Sequence, residues 1–423
     1  MKKLCEYEIS ELNAKVTCSC GESHDGVLNV VLSANVVGEV KKIKERGRVL
    51  VIASSEVDKG YVDDLHSELA EAEYVVRRFD RGEVYKDYES LDGVDVLIAV
   101  GDERIIERCK TLALTFNTSL VVIPIGFNYW DYLTASAVID YDGVRVIRPA
   151  RAPDVVIADS RVMTFCSKSR WADSIGDMYA KVIAFFDYAF KSETKGVGCR
   201  YIVDKALSIL ETGIGYFEKN PQSVEAIMEI ALAVASLSKM TGGETGGEGQ
   251  VADTLERFAK NHQRSGTARG EVRFLSALIV GRVYKKFLSV KCPYGVGDAF
   301  MDMNKSRRIL GIDELEAVRL AKQNAYGVAT SLEYGLEVAR GELKMLADRC
   351  DKLLTDAHYK LMRIYPDKGY HLRYYMTSEE ILGVVECAPF FSRRDTLLSF
   401  IKGRVFAPSV FQYAASLETS KLV

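Results

Sequence analysis

The chain has 423 residues, 48% of them hydrophobic, which is enough for two domains with sizeable buried cores. Its 56 basic and 59 acidic side chains leave a formal net charge of −3, which argues against a general binder of nucleic acid or of an anionic membrane. The opening residues, MKKLCEYEISEL, lack the apolar core of a secretory signal, and the longest apolar run, IMEIALAVASL from Ile227, is too short to cross a bilayer. A cytoplasmic protein is expected, with a small-molecule ligand, no nucleic acid and no membrane as partner; assembly into a homo-oligomer is left open.

The first motif in the chain is CSCGESHDG. Cys18, Cys20 and His24 place three soft donors within seven residues, but a metal site needs a fourth, and only Cys5 is near in sequence. The flanking stretches KVTC and VLNVVLS read as the two strands of a hairpin. The nine cysteines of the chain are odd in number and scattered, unlike a disulfide framework.

From residue 48 the pattern alternates. RVLVIAS (48–54) is a continuous apolar run of the kind found in fully buried parallel strands. YVDDLHSELAEA follows as an amphipathic helix, then YVVRRF (74–79) as a strand. DVLIAVG (95–101) is a buried strand running into the helix ERIIERCKTLALTF, and SLVVIPI (119–125) is another strand. Strands alternating with helices predict βαβ units and a Rossmann-like parallel sheet. After PDVVIADS (153–160), helical periodicity dominates to the end. The expected fold is an α/β domain over residues 1–160, dinucleotide-binding-like and opened by the hairpin. An all-α domain over residues 161–423 follows, with a ligand cleft between the two.

Several motifs in order resemble one family. APDVVIADSRVM resembles a strand and crossing of the form P-x-x-V-I-A-D. WADSIGDMYAK and FDYAFK resemble a G-x-G-D-x-x-x-K helix and its continuation. TGGEGQVAD and RGEVRFLSALI resemble S-G-A-E-H-x-x-S-H and H-G-E-x-V-G-x-G-T. With the C-x-C-G-x-x-H opening, these resemble the sn-glycerol-1-phosphate dehydrogenase branch of the iron-containing alcohol dehydrogenase and 3-dehydroquinate synthase superfamily. The resemblance implies a dehydroquinate synthase-like fold, NAD(P) as cofactor, and a divalent zinc or iron ion that polarises a polyol phosphate hydroxyl.

The resemblance places the metal on one Asp and two His. Asp177 matches the Asp, but the two His positions fall on Gly249 and Arg269. Glycine has no donor atom and arginine no lone pair, so a family-type metal is not expected here. Arg269 is a candidate to pair with Asp177 in the ion's stead, the alternative being an arginine that faces solvent. His262 lies between the lost positions at an offset that fits neither.

The cofactor side is altered too. Where the resemblance implies a glycine-rich pyrophosphate loop, Gly101 is retained but Asp102 and Glu103 follow it, good helix-starting residues that oppose an anion. Ser54 stands where the branch commonly has an Asp. In PIGFNYWDYLTASAV, Pro124 matches, Asn128 falls on the cofactor side, and Asp131 matches a catalytic Asp after a one-residue insertion. The rings of Tyr129, Trp130 and Tyr132 either stack on a ligand or fill the interior, the latter slightly favoured. Whether the chain is an enzyme is left open. Three readings stand: a divergent NAD(P)-linked polyol phosphate oxidoreductase; a non-catalytic binding or regulatory relative; and a metal-free enzyme with Arg269 as electrostatic stabiliser and Asp177, Glu248 or Glu271 as acid–base groups.

Overall fold

The computed structural model describes residues 14–18, 20–32, 39, 48–69, 74–79, 93–141, 144–164, 168–196, 198–243, 245–264, 268–290, 302–324, 330–366, 376–391, 395–402 and 407–420. The strands are β1 (Lys15–Thr17), β2 (Ser23–Asp25), β3 (Val30–Leu32), β4 (Val49–Ser54), β5 (Tyr74–Phe79), β6 (Val96–Gly101), β7 (Ser119–Pro124), β8 (Ser136–Tyr141), β9 (Val144–Pro149) and β10 (Val155–Ala158). The helices begin with α1 (Lys59–Leu69), α2 (Glu103–Phe116), α3 (Tyr129–Tyr132), α4 (Ser160–Thr164), α5 (Lys168–Lys195), α6 (Arg200–Lys219) and α7 (Val224–Met240). They continue with α8 (Gly247–Asn261), α9 (Arg269–Ser289), α10 (Met303–Leu310), α11 (Glu314–Asn324), α12 (Thr330–Ile364), α13 (Ser378–Phe391), α14 (Leu397–Ile401) and α15 (Ala407–Ser420).

Contacts divide the chain into two compact units. One comprises Met1–Val16, Asp25–Trp171 and Gln222–Lys239; the other comprises Thr17–His24, Ala172–Pro221 and Met240–Val423. The first holds the α/β architecture expected from the alternating pattern. Its six-stranded sheet has the order β3-β10-β7-β6-β4-β5, and every pairing in it is parallel. β4 and β6 are buried along their whole length, which explains their unbroken apolar sequences: a strand covered on both faces has no solvent side to be polar. Helix α2 packs against β4, β6 and β7 with its face of Ile105, Ile106, Cys109 and Ala113, and stops at Asn117 in the left-handed region.

Two strand assignments differ from expectation. The opening hairpin pairs β1 with β2, whereas Val30–Leu32 joins the large sheet beside β10. The VVL run forms an edge strand of that sheet, paired only with β10 among the described residues. The antiparallel pair β8–β9 is an addition. Helix α7 belongs to the sheet unit, where Ser236 Oγ donates to the Gly26 carbonyl at 2.8 Å.

The second unit is helical apart from its short share of the hairpin, residues 17–24. Helix α9 runs through it, packed against α8, α12 and α15, and every residue from Gly270 to Gly281 is buried. A helix covered all round is built from apolar and small residues. The exceptions, Glu271, Arg273 and Ser276, must find polar partners inside. Among the described residues, no helix is long and apolar enough to cross a membrane.

Candidate active-site residues

In the sheet unit the chain leaves β4 for β5 on one side and reaches β6 on the other, so the strand order reverses between β4 and β6. Ligands of open parallel sheets bind at the carboxyl ends of strands flanking such a point. Ser54 ends β4, Gly101 ends β6 and Pro124 ends β7, in register with Gly101. Gly101 has φ +156°, and a Cβ on it would lie 2.8 Å from that of Ser54. The Ile125 N–H donates to the Gly101 carbonyl at 3.0 Å, and Asn128 follows as N-cap residue of α3. The fold therefore gathers Ser54, Gly101, Asp102 and Pro124 at one sheet edge.

Asp102 is the N-cap of α2, its carboxylate accepting the Ile105 N–H at 3.4 Å, and Glu103 occupies the first turn. Both acids meet the positive end of the helix dipole. Arg170 lies 3.6 Å from the Asp102 carboxylate and also pairs with Glu56. The helix N-terminus, the usual seat of a phosphate, already has a fixed negative group and a bridging guanidinium.

Asp131 presents its backbone carbonyl to Lys110 Nζ at 3.2 Å. Lys110 is fully buried; its ammonium also bonds Glu107 at 3.2 Å and Thr134 Oγ1 at 3.1 Å. Burial pulls the Lys110 pKa down and pushes that of Glu107 up, each opposed by the other's charge. Tyr129, Trp130 and Tyr132 are buried, Tyr129 and Tyr132 meeting edge to face at 6.3 Å, so these rings fill the interior.

In the helical unit, Asp177 on α5 is buried and pairs with the guanidinium of Arg273. Arg273 Nη1 lies 2.9 Å from Oδ1 and 3.1 Å from Oδ2. Arg269 starts the same helix one turn earlier and is half-buried. Glycines set the geometry. A Cβ on Gly270 would fall 1.9 Å from the Asp173 carbonyl oxygen, and one on Gly176 would fall 3.1 Å from the Gly270 carbonyl. The α5 and α9 backbones thus touch at Gly270, which carries Arg273 onto Asp177. The buried Lys181 follows Asp177 by one turn. Gly249 is buried on α8, and His262 is exposed, its ring 4.2 Å from that of Phe258.

Another buried carboxylate, in the FDYAFK stretch but not among the candidate site residues, lies further along α5. Asp187 accepts the Gly247 N–H at 2.8 Å, the Leu397 N–H at 2.9 Å and the Tyr284 hydroxyl at 3.0 Å. Burial raises its pKa to about 7, with the charge of Glu248 adding to the effect and the backbone N–H groups opposing it. The sequence signal was an Asp inside the apolar run IAFFDYAF.

The comparisons agree with this architecture. Residues 32–166 match the family model described as iron-containing alcohol dehydrogenase. The glycerol-1-phosphate dehydrogenase [NAD(P)+] of Pyrobaculum neutrophilum is 22% identical over 310 residues, covering 67% of this chain and 85% of the relative. That of Methanothrix thermoacetophila is 24% identical over 251 residues, 53% of this chain and 68% of the relative. These matches support the iron-containing alcohol dehydrogenase superfamily as what this chain is similar to. Within that superfamily the similarity is to the glycerol-1-phosphate dehydrogenase branch, at a divergent 22–24% identity. Solved structures show the same fold. The maleylacetate reductase of Agrobacterium tumefaciens superposes with a TM-score of 0.57 at 14% identity, covering 92% of this chain and 95% of its own. The glycerol dehydrogenase of Schizosaccharomyces pombe gives 0.55 at 15%, covering 92% and 88%. Both of the glycerol-1-phosphate dehydrogenase relatives are named as NAD(P)+ dehydrogenases.

Proposed function

We propose that this chain is a divergent, metal-independent oxidoreductase of the polyol phosphate dehydrogenase type, in which guanidinium charge stands in for the divalent ion. The observation that carries the reading is Arg273 on Asp177 at 2.9 Å. The residues present do not fit the family ion. Gly249 and Arg269 offer no ligand atom, and a cation already neutralises Asp177. A preorganised guanidinium can stabilise negative charge developing on a substrate oxygen, and Arg269, less buried than Arg273, is the group assigned to that role. Asp177 positions the arginine pair and Asp131 is the assigned proton acceptor. On the cofactor side, Ser54, Gly101, Pro124 and Asn128 would hold NAD(P) at the β4–β6 reversal, within a dinucleotide-binding-like domain of residues 1–160. When bound, the nicotinamide would supply the hydride chemistry, and the negative charge of Asp102 would weaken the hold on an anionic group there.

A second reading, a non-catalytic binding relative, is favoured by the Glu56–Arg170–Asp102 bridge at the phosphate seat. One experiment separates the two. Purified protein is titrated with NADH and NADPH by fluorescence, with and without Zn(II), and then assayed with phosphorylated polyols. Zinc-independent cofactor binding with turnover supports the first reading. Turnover that depends on added zinc refutes it, and absence of any cofactor response leaves the second.

A further inference from the structure

The opening motif has three donors and lacks a fourth; folding provides it. Cys199, 181 residues from Cys18, brings its sulfur to 3.1 Å from Cys18 Sγ. Cys20 Sγ lies 3.2 Å from His24 Nε2. The four ligand atoms, Sγ of Cys18, Cys20 and Cys199 with one ring nitrogen of His24, all lie within 4.8 Å of one another. All four residues belong to the helical unit.

Tetrahedral zinc has Zn–S bonds of about 2.3 Å and Zn–N bonds of about 2.0 Å, which sets donor–donor edges of roughly 3.5–3.8 Å. The separations here, from 3.1 to 4.8 Å, bracket those edges, so shifts of about 1 Å would centre an ion. The backbone is shaped for the task on both sides. In the hairpin, Gly21 sits at φ +87°, its N–H donating to the Cys18 carbonyl at 3.0 Å, while the Cys18 N–H donates to the Glu22 carbonyl at 3.1 Å. This turn curls Cys20 and His24 back over Cys18. On the other side, Gly198 has φ +143°, and a Cβ there would lie 2.9 Å from that of Ser192. Only glycine lets the chain leave α5 and present Cys199 as the N-cap of α6. The Cys199 side chain makes no capping bond to that helix.

We propose that Cys18, Cys20, His24 and Cys199 form a structural zinc site that fastens the opening hairpin to the start of α6. Four protein donors close the coordination sphere, so the ion has no open position for substrate and is not catalytic. Each thiol gives up its proton on binding, so loading releases up to three protons per ion. The bound ion clasps a very long loop, which restricts the unfolded chain. The site is independent of the reading of Asp177 and Arg273: it stands or falls without reference to turnover.

The test uses the full chain, reduced, stripped with chelator and titrated with Co(II). Expected is a stoichiometric tetrahedral d–d spectrum with near-ultraviolet thiolate-to-cobalt charge transfer, abolished by Zn(II). The zinc-loaded chain should also melt at higher temperature than the stripped chain. Cys20→Ser, at an exposed position, should lose the charge-transfer intensity of one thiolate and weaken binding by at least about 10-fold. His24→Gln provides a second variant should Cys20→Ser misfold, and Cys387→Ser, buried against Ser306, should match the parent. Absence of thiolate charge transfer in the reduced parent would overturn the proposal. So would a spectrum unchanged in both Cys20→Ser and His24→Gln, or a Cys18–Cys199 disulfide that reforms in the presence of zinc.

Discussion

Arg273 donates from one nitrogen to both carboxylate oxygens of Asp177, at 2.9 and 3.1 Å, and both side chains are buried. Two charges withdrawn from water hold each other in place, and neither is easily removed alone. Arg273→Ala should destabilise the helical unit by about 3–5 kcal/mol, because it strands a buried carboxylate. Asp177→Asn with Arg273→Met should recover most of that loss. Urea unfolding of the two variants checks the difference; equal stabilities would show that the pair is not coupled.

The seat at the start of α2 gives opposite signs for stability and anion affinity. Asp102→Ala removes the N-cap and should cost about 0.5–1 kcal/mol, the low end following from a long 3.4 Å capping bond. The same change removes a negative charge and should tighten NADPH binding. Arg170→Ala should do the reverse for affinity, leaving Glu56 and Asp102 without their shared cation. Melting temperature and cofactor fluorescence report the two effects separately.

Asp187 sets a pH dependence. Its folded pKa stands at about 7 against an ordinary 3.8, so the folded chain retains a proton that the unfolded chain has released between those values. Stability from this group is fully present below about pH 4 and is lost as pH rises through 7. Asp187→Asn, which cannot ionise, should flatten that slope, although one amide N–H would face a backbone donor and lower stability at all pH values. Urea midpoints from pH 4 to 8 for parent and variant provide the check.

The close crossing at Gly270 predicts asymmetry between glycines. Gly270→Ala places a methyl 1.9 Å from a backbone oxygen and should cost about 3 kcal/mol or more. Gly341→Ala, exposed within α12 with nothing within 4 Å, should stabilise by about 0.5–1 kcal/mol. Thermal melts of both variants settle the comparison.

The sheet was legible because β4, β6 and β7 are buried strands whose apolar runs end in chemically distinctive residues, Ser54, Gly101 and Pro124. Strands alternating with helices run parallel, so their carboxyl ends, and these residues, fall at the same end of the sheet. Arg273 on Asp177 carried no motif signal of its own. Arg269 and Arg273 lie one helical turn apart on α9, so both share a face and the motif drew attention to the first. The close backbone approach at Gly270 brings Arg273 to the carboxylate. The β8–β9 pair carried a sequence signal, Asp-Gly between two runs of alternating apolar residues. Cys199 had no local signal, because nothing in its neighbourhood records a partner 181 residues away.

The interleaved course of the chain bears on how the molecule can be dissected. Residues 17–24 belong with the helical unit and 222–239 with the sheet, so each unit is sewn from non-adjacent pieces of polypeptide. Scissors applied at residue 160 would strip the sheet of α7 and orphan the hairpin from the helices. Neither fragment would inherit all its own parts, and ribosomal synthesis cannot complete the sheet unit until residue 239 has emerged.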